Sequence, residues 1–244
     1  MKPEFTERIK PYGPASYTRP RDAATLILLR RNAGRTEVLM GKRNANLVFM
    51  PGMFVFPGGR TERADLTAPR TGSLHAGDAE RLVKGMGAKG SLRRAEALAM
   101  SAIRETQEET GLLIGRQAGS DRVQAPRSWD AFARAGVVPD LSAIRYIARA
   151  ITPPGRPRRF DTRFFAADAR HVFNPDELIA NPEEELDEVR WIRFGDFDGI
   201  KVPDITVAIL DLLADRLKDD PDLSRDMPVP FIRVENRRFL QTFE

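Results

Sequence analysis

Between Ser91 and Leu112 the chain reads SLRRAEALAMSAIRETQEETGL, the stretch that most restricts what it can fold into. Ala95, Ala99, Ala102, Ile103 and Thr106 recur at helical spacing and form a small-residue face on which a sheet can pack closely. Ser91 stands where an N-cap belongs and Gly111 where a left-handed stop belongs, so the pattern predicts one helix between them. On that helix Glu105, Glu108 and Glu109 fall within an arc of about 100°, projecting three carboxylates from one face. They sit at the carboxyl end, where the helix dipole is already negative, and Glu105 and Glu109 repel each other at i, i+4. Two local preferences broken at one spot mark a candidate for function. A divalent cation is the simplest compensation, because carboxylate oxygens suit Mg²⁺. On charge alone, a solvated acidic face is the favoured reading.

Composition narrows the classes. The chain has 244 residues, 41% of them apolar, enough for a proper core. With no cysteine, disulfides, zinc–thiolate sites and thiol catalysis are excluded. Lys and Arg number 39 against 35 Asp and Glu, a net +4 that makes no case for a nucleic-acid partner. No stretch approaches eighteen apolar residues and the first residues lack an apolar run, so a soluble, cytoplasmic protein without a membrane partner is expected. The two histidines, His75 and His171, stand alone in polar stretches, which leaves a serine triad or a histidine-rich metal centre without a home.

Arg104 to Leu112, RETQEETGL, matches the pattern REUxEExGU (U aliphatic) except for Thr106 at the first U, and seven residues separate Arg104 from Glu96, which stands where an upstream acid belongs. The stretch strongly resembles the Nudix box. The resemblance implies an α/β/α sandwich with a mixed β-sheet, and hydrolysis of a nucleoside diphosphate linked to another moiety with Mg²⁺ or Mn²⁺ as cofactor. Glu105 and Glu109 are then the principal metal ligands, and Glu108 shares a second ion or takes the proton from water. Arg104 orients a glutamate, and Glu96, about 180° round the helix from Glu105, acts indirectly if at all.

Upstream, Ala23–Leu29 and Glu37–Arg43 read as two strands of a hairpin with turn residues at 31–34. Asn44–Phe56 leads as an apolar, strand-like run into the turn Pro57-Gly58-Gly59-Arg60, where glycine lets the backbone approach metal and phosphate. The segment GKRNANLVFMPGMFVFPGG also resembles a subgroup that cleaves coenzyme A and its thioesters, which makes Arg43 a substrate-binding candidate. Met50–Met53 serves equally as an ordinary apolar loop. Some three dozen residues separate Gly59 from Glu96, where the standard box has five, and coenzyme A-type relatives include proteins with an insertion here. Gly90 satisfies the spacing, but Gly59 follows a strand-like run and is the preferred box glycine. The insertion, about 60–90, reads as a polar loop with one or two helical turns around Ala79–Lys84, suited to a lid. Inside it Gly85, Gly87 and Gly90 match a dinucleotide fingerprint that no strand precedes.

Downstream, Ser128–Ala135 reads as a short helix and Leu141–Ile151 as a long strand or a strand preceded by a turn. Around the strand Phe160–Phe165 stand Arg156, Arg158, Arg159 and Arg163. Arg159 and Arg163 are candidates for a remote substrate phosphate, though a solvated loop explains them as well. The resemblance also implies that a carboxylate outside the box helix often completes the metal site or activates water, for which Glu183, Glu184 and Glu185 are candidates, though an exposed acidic loop explains each of them as well. Trp191 reads as core and Asp204–Leu217 as an amphipathic helix covering the sheet. The expected organisation is an extended arm (1–20), a hydrolase domain (21–218) and a tail (219–244) that forms a strand or edge hairpin. A homodimer is compatible with the sequence. Coenzyme A-type compounds are the first substrate class and ADP-ribose, NADH, dinucleotides or nucleoside triphosphates the second, while a third reading is a Nudix-fold protein that only binds.

Overall fold

β1 (Arg21–Asn32) is the longest strand, and it turns back into β2 (Arg35–Arg43) through Ala33 and Gly34, whose φ values of 48° and 74° give the left-handed pair that suits a two-residue hairpin. The computed structural model describes residues 18–47, 50–119, 124–156, 158–178, 185–235 and 238–244. All but the last three residues of the expected N-terminal arm lie outside them, as do Glu183 and Glu184.

The sheet grows outward from β1. On one side β8 (Phe160–Asp168) runs parallel to it, then β7 (Ile144–Ile151) antiparallel to β8, then β10 (Pro230–Glu235) parallel to β7, with β11 (Arg238–Phe243) at the edge. On the other side β2 carries β9 (Leu186–Arg193) and the short β3 (Phe54–Val55), while β4 (Gly58–Arg60) pairs with the start of β1. A separate two-stranded ribbon joins β5 (Gly115–Gln117) to β6 (Val137–Pro139).

Strand alternation divides the core in two. Ala24, Leu26 and Leu28 face α2 (Leu92–Thr110) and α1 (Ala76–Gly85), whereas Ile27 and Leu29 face α4 (Asp204–Asp219). Ala95, Ala99 and Ala102 are fully buried, so α2 lies close on the sheet. On the far side Ile209, Leu210 and Leu213 of α4 close the second core. The result is the expected α/β/α sandwich around a mixed sheet. Trp129 and Phe132, on the turn and short helix α3 (Asp130–Ala135), fill the α2 side. Among the described residues no helix is long and apolar enough to cross a membrane.

Three local expectations are corrected. Residues 60–90 do not form a loose polar lid: α1 runs ten residues, and Ala68, Leu74 and Leu82 are buried in the same core as α2. These apolar residues are too widely spaced to show a period, yet all turn inward. Gly58 and Gly59 are not a turn but lie in β4, opposite Thr25 and Ala24. The run before them is mostly turn rather than strand, with left-handed Met50 and Gly52 ahead of β3. The tail adds the β10–β11 hairpin to the main sheet, and Trp191 is half-buried beneath Arg30, whose guanidinium lies 4.3 Å from the ring centroid.

Candidate active site

The acid-bearing helix begins and ends as its sequence dictates. Ser91 Oγ accepts the Arg94 N–H, and Gly111, at φ 76°, donates its N–H to the Gln107 carbonyl. Thr106, at an aliphatic box position, is fully buried because its hydroxyl bonds back to the Ala102 carbonyl at 2.8 Å.

At the carboxyl end the three acids are graded by depth. Glu109 is 8% exposed and accepts the Gly58 N–H at 3.2 Å. The Glu105 side chain is 16% exposed and Glu108 is 39% exposed. A Cβ on Gly59 would run into the Glu105 carboxylate, so the bare backbone of β4 leaves the space that this side chain occupies. Gly90 meets the Val83 carbonyl and has no approach to the acids, which leaves Gly59 as the glycine at the site.

Arg104 joins the acids to the scaffold. Its guanidinium is buried and donates from Nη1 to Glu105 Oε1 at 2.9 Å and to Glu108 Oε2 at 2.8 Å. From Nε and Nη2 it grips Asp65, at 2.8 and 3.2 Å, and Nη2 also reaches the Arg60 carbonyl. Burial alone would weaken its hold on the proton. The hydrogen bond to Asp65 and the charges of Glu105, Asp65 and Glu108 outweigh this and raise its pKa.

Glu185 brings a fourth carboxylate. The backbone of Asn44 donates to the Glu185 carbonyl, Asn44 Nδ2 donates to Asp187, and Arg43 Nη1 pairs with Glu185 Oε2 at 3.1 Å. Its charge is felt at both Glu105 and Glu109. Burial pushes the Glu105 pKa up to about 7 and that of Glu109 well above the usual carboxylate range, with the neighbouring acids adding to burial in both. Glu108 shifts upward too, mainly by burial. A strongly acidic, partly dehydrated oxygen cluster is the donor set that hard divalent cations take.

Other candidates lie elsewhere. Arg163, almost completely buried, donates to Asp22 at 2.7 Å and to the Asp161 carbonyl, and Arg159 donates to the carbonyls of Thr152 and Thr18. Asp22 in turn pairs with Arg94 in the first turn of α2. Arg94 is eleven residues, or about 16 Å of helix axis, from Glu105. Of the two expected phosphate-binding arginines, Arg163 on β8 is thus engaged near the amino end of α2 and Arg159, just before β8, with backbone carbonyls, and neither bonds an acid of the cluster. Glu96 pairs with Arg70 at 2.7 Å and takes no part in the cluster. His75, Asp78 and Asp226 bring ligand atoms within 4.8 Å of one another, but Arg81 and Arg145 already pair with the two aspartates. Sequence reasoning missed Asp65 altogether. No period or motif points to it, since its partner lies 39 residues away.

An α/β/α sandwich whose acid-bearing helix abuts a glycine strand is the Nudix fold. A Nudix hydrolase from Alicyclobacillus acidocaldarius shares 30% sequence identity with this chain over 82% of it and 93% of that protein, with a TM-score of 0.62. The chain therefore belongs to the Nudix hydrolase family. More distant structures include the Nudix domain of Shewanella oneidensis NrtR in complex with ADP ribose, at 11% identity, TM-score 0.46 and coverage of 83% and 91%. A MutT/nudix family protein from Enterococcus faecalis matches at 16% identity, TM-score 0.48 and coverage of 84% and 64%. No protein-family model matches the sequence, and no curated protein does.

Proposed function

We propose that the protein is a metal-dependent hydrolase that splits the pyrophosphate linkage of a nucleoside diphosphate joined to another moiety, with coenzyme A or an acyl-CoA as the first substrate class. The observation that carries the reading is the surplus of carboxylate around Glu105, Glu108 and Glu109, buried deeply enough that their pKa values rise. A protein that only bound a nucleotide would gain nothing from acids that repel one another and the phosphates alike.

In this reading Glu105 and Glu109 hold Mg²⁺ or Mn²⁺ and Glu185 adds to the set. When bound, such an ion neutralises phosphate oxygens and lowers the pKa of the attacking water. The Gly58 N–H holds one Glu109 oxygen, and the bare Gly59 backbone leaves room for the Glu105 carboxylate. Glu108, the most open of the three, is placed to share the ions or to accept the proton of the water. Arg104 orients Glu105 and Glu108 without reaching the bond that breaks. In this reading Arg43, paired with Glu185, is the first candidate to meet a substrate phosphate, ahead of Arg159 and Arg163, whose hydrogen bonds go to Asp22 and to backbone carbonyls.

The test is hydrolysis of coenzyme A, an acyl-CoA, ADP-ribose, NADH and a diadenosine polyphosphate, with Mg²⁺ or Mn²⁺ and with EDTA. Cleavage of coenzyme A compounds ahead of the others, abolished by EDTA, is expected. Preferential cleavage of ADP-ribose or a dinucleotide would keep the chemistry and replace the substrate class. Absence of cleavage across the panel would overturn the catalytic reading.

A further inference from the structure

We propose that Asp65, from the segment between the glycine strand and the acid-bearing helix, is a positioning residue of the active site: acting through Arg104, it sets Glu105 and Glu108 for the divalent cation. The inference rests on the reading of these acids as metal ligands.

A guanidinium has five N–H donors in one rigid plane. In Arg104 all five are engaged: two by Asp65, one by the Arg60 carbonyl, and one each by Glu105 and Glu108. Fixing the back of the fork therefore fixes the front. Asp65 is itself immobilised. It is fully buried, accepts the Glu62 N–H at 2.7 Å, and lies in a single helical turn, Ala64–Leu66, closed by Thr67 and Ala68 N–H groups on the Ala64 carbonyl. Ala68, just beyond, is buried in the core beneath α2. From the core, Ala68, Asp65 and Arg104 are buried in succession, and hydrogen bonds carry the line on to the two glutamates.

Charge makes the same point. Without Asp65 the buried positive charge of Arg104 would be balanced by Glu105 and Glu108 alone, and their oxygens would be less available to a cation. With it, one carboxylate balances Arg104 from behind and the front pair keeps its surplus. A mere brace would require only that the two segments be joined. Arg70 and Glu96 are such a brace, an ion pair of 2.7 Å between the same segment and the same helix that reaches no site acid.

The experiment measures Mn²⁺ binding to the folded full chain, by electron paramagnetic resonance and calorimetry and without substrate, for wild type, Asp65→Asn, Glu96→Gln and Glu109→Gln. Asp65→Asn keeps the shape and removes the charge. Its Mn²⁺ Kd should weaken at least tenfold, the low end of the roughly 10- to 100-fold typical of groups that hold metal ligands. Glu96→Gln should lower the melting temperature and leave the Kd within twofold. If the amide does not fold, Asp65→Glu, which keeps the charge and displaces the guanidinium, should weaken binding in the same direction. A folded Asp65 variant with wild-type Kd, an equal loss in Glu96→Gln, or Mn²⁺ binding indifferent to Glu109→Gln would each overturn the proposal. Because no substrate is used, wild-type binding that depends on Glu109 and Asp65 without any hydrolysis would end the hydrolase reading and leave Asp65 in its role.

Discussion

Two ionic regions flank helix α2, and they are built on opposite principles. Near its amino end Arg94, Arg149 and Arg163 interlock with Asp22, Asp161 and Glu244, three guanidiniums against three carboxylates, each pair at 2.6–3.2 Å. At its carboxyl end Glu105, Glu108, Glu109, Glu185 and Asp65 face the guanidiniums of Arg104 and Arg43. The first region is neutral and satisfied from within, so it has nothing left to bind. The second gathers more carboxylates than guanidiniums in a half-dry setting, which raises the pKa values of Glu105, Glu108 and Glu109 and which folding alone would select against. Burial of ions is common to both, and the imbalance is what distinguishes a site from a clamp.

The sharpest way to break this contrast is to neutralise one member of each region. Glu109→Gln should reduce metal-dependent hydrolysis by roughly 1,000-fold while leaving the metal-free melting temperature equal or higher, because burial and the neighbouring acids already disfavour a charge at this position. Arg163→Met should do the reverse. Asp22 keeps Arg94 and Asp161 keeps Arg149, so losing the buried Arg163 guanidinium should cost about 1.5–3 kcal/mol in denaturant titration, with KM unchanged. A raised KM in a stably folded Arg163→Met would return this residue to the phosphate-binding role that its sequence suggests.

The adjacent glycines sharpen the comparison on a finer scale. A Cβ at Gly58 would meet the Ala24 carbonyl and the Thr25 backbone, which cannot yield, so Gly58→Ala should lose about 1–3 kcal/mol of stability. At Gly59 the obstacle is the end of the Glu105 side chain, which can swing away. Gly59→Ala should thus fold nearly as well as wild type and bind Mn²⁺ more weakly, as parallel unfolding and metal titrations would reveal.

The smallest effect is in pH. Glu105 titrates near 7 in the metal-free fold and at 4.5 ordinarily, so its raised pKa means the unfolded chain gives up the proton first. The Glu105 contribution to metal-free stability should fall as pH rises from about 4.5 to 7 and level off above that, with the raised Glu108 and Glu109 adding losses of the same sign. Since the cation displaces that proton, Mn²⁺ affinity should climb over the same interval, and the stabilisation by Mn²⁺ should widen with it. Melting curves with and without Mn²⁺ at several pH values would show this, and a constant gap would count against Glu105 as a ligand.

Several features were legible before any fold was known because they depend on near neighbours in the chain. The caps at Ser91 and Gly111, the shared face of three glutamates, the β1–β2 hairpin and the alternation of its strands follow from helical and strand periods. The terminal hairpin was visible for the same reason. Where partners are distant, the sequence carries no such period. Arg163 and Arg104 are both arginines beside acids, and only the sheet directs one into a neutral clamp and the other between glutamates and Asp65. Gly58 and Gly59 read as a turn, yet pairing with β1 makes them strand, and their small size matters for the helix packed above. Local rules determined which residues form the acidic face. Tertiary packing decided which of its charges remain unbalanced, because desolvation and ion pairing depend on what the rest of the chain brings against that face.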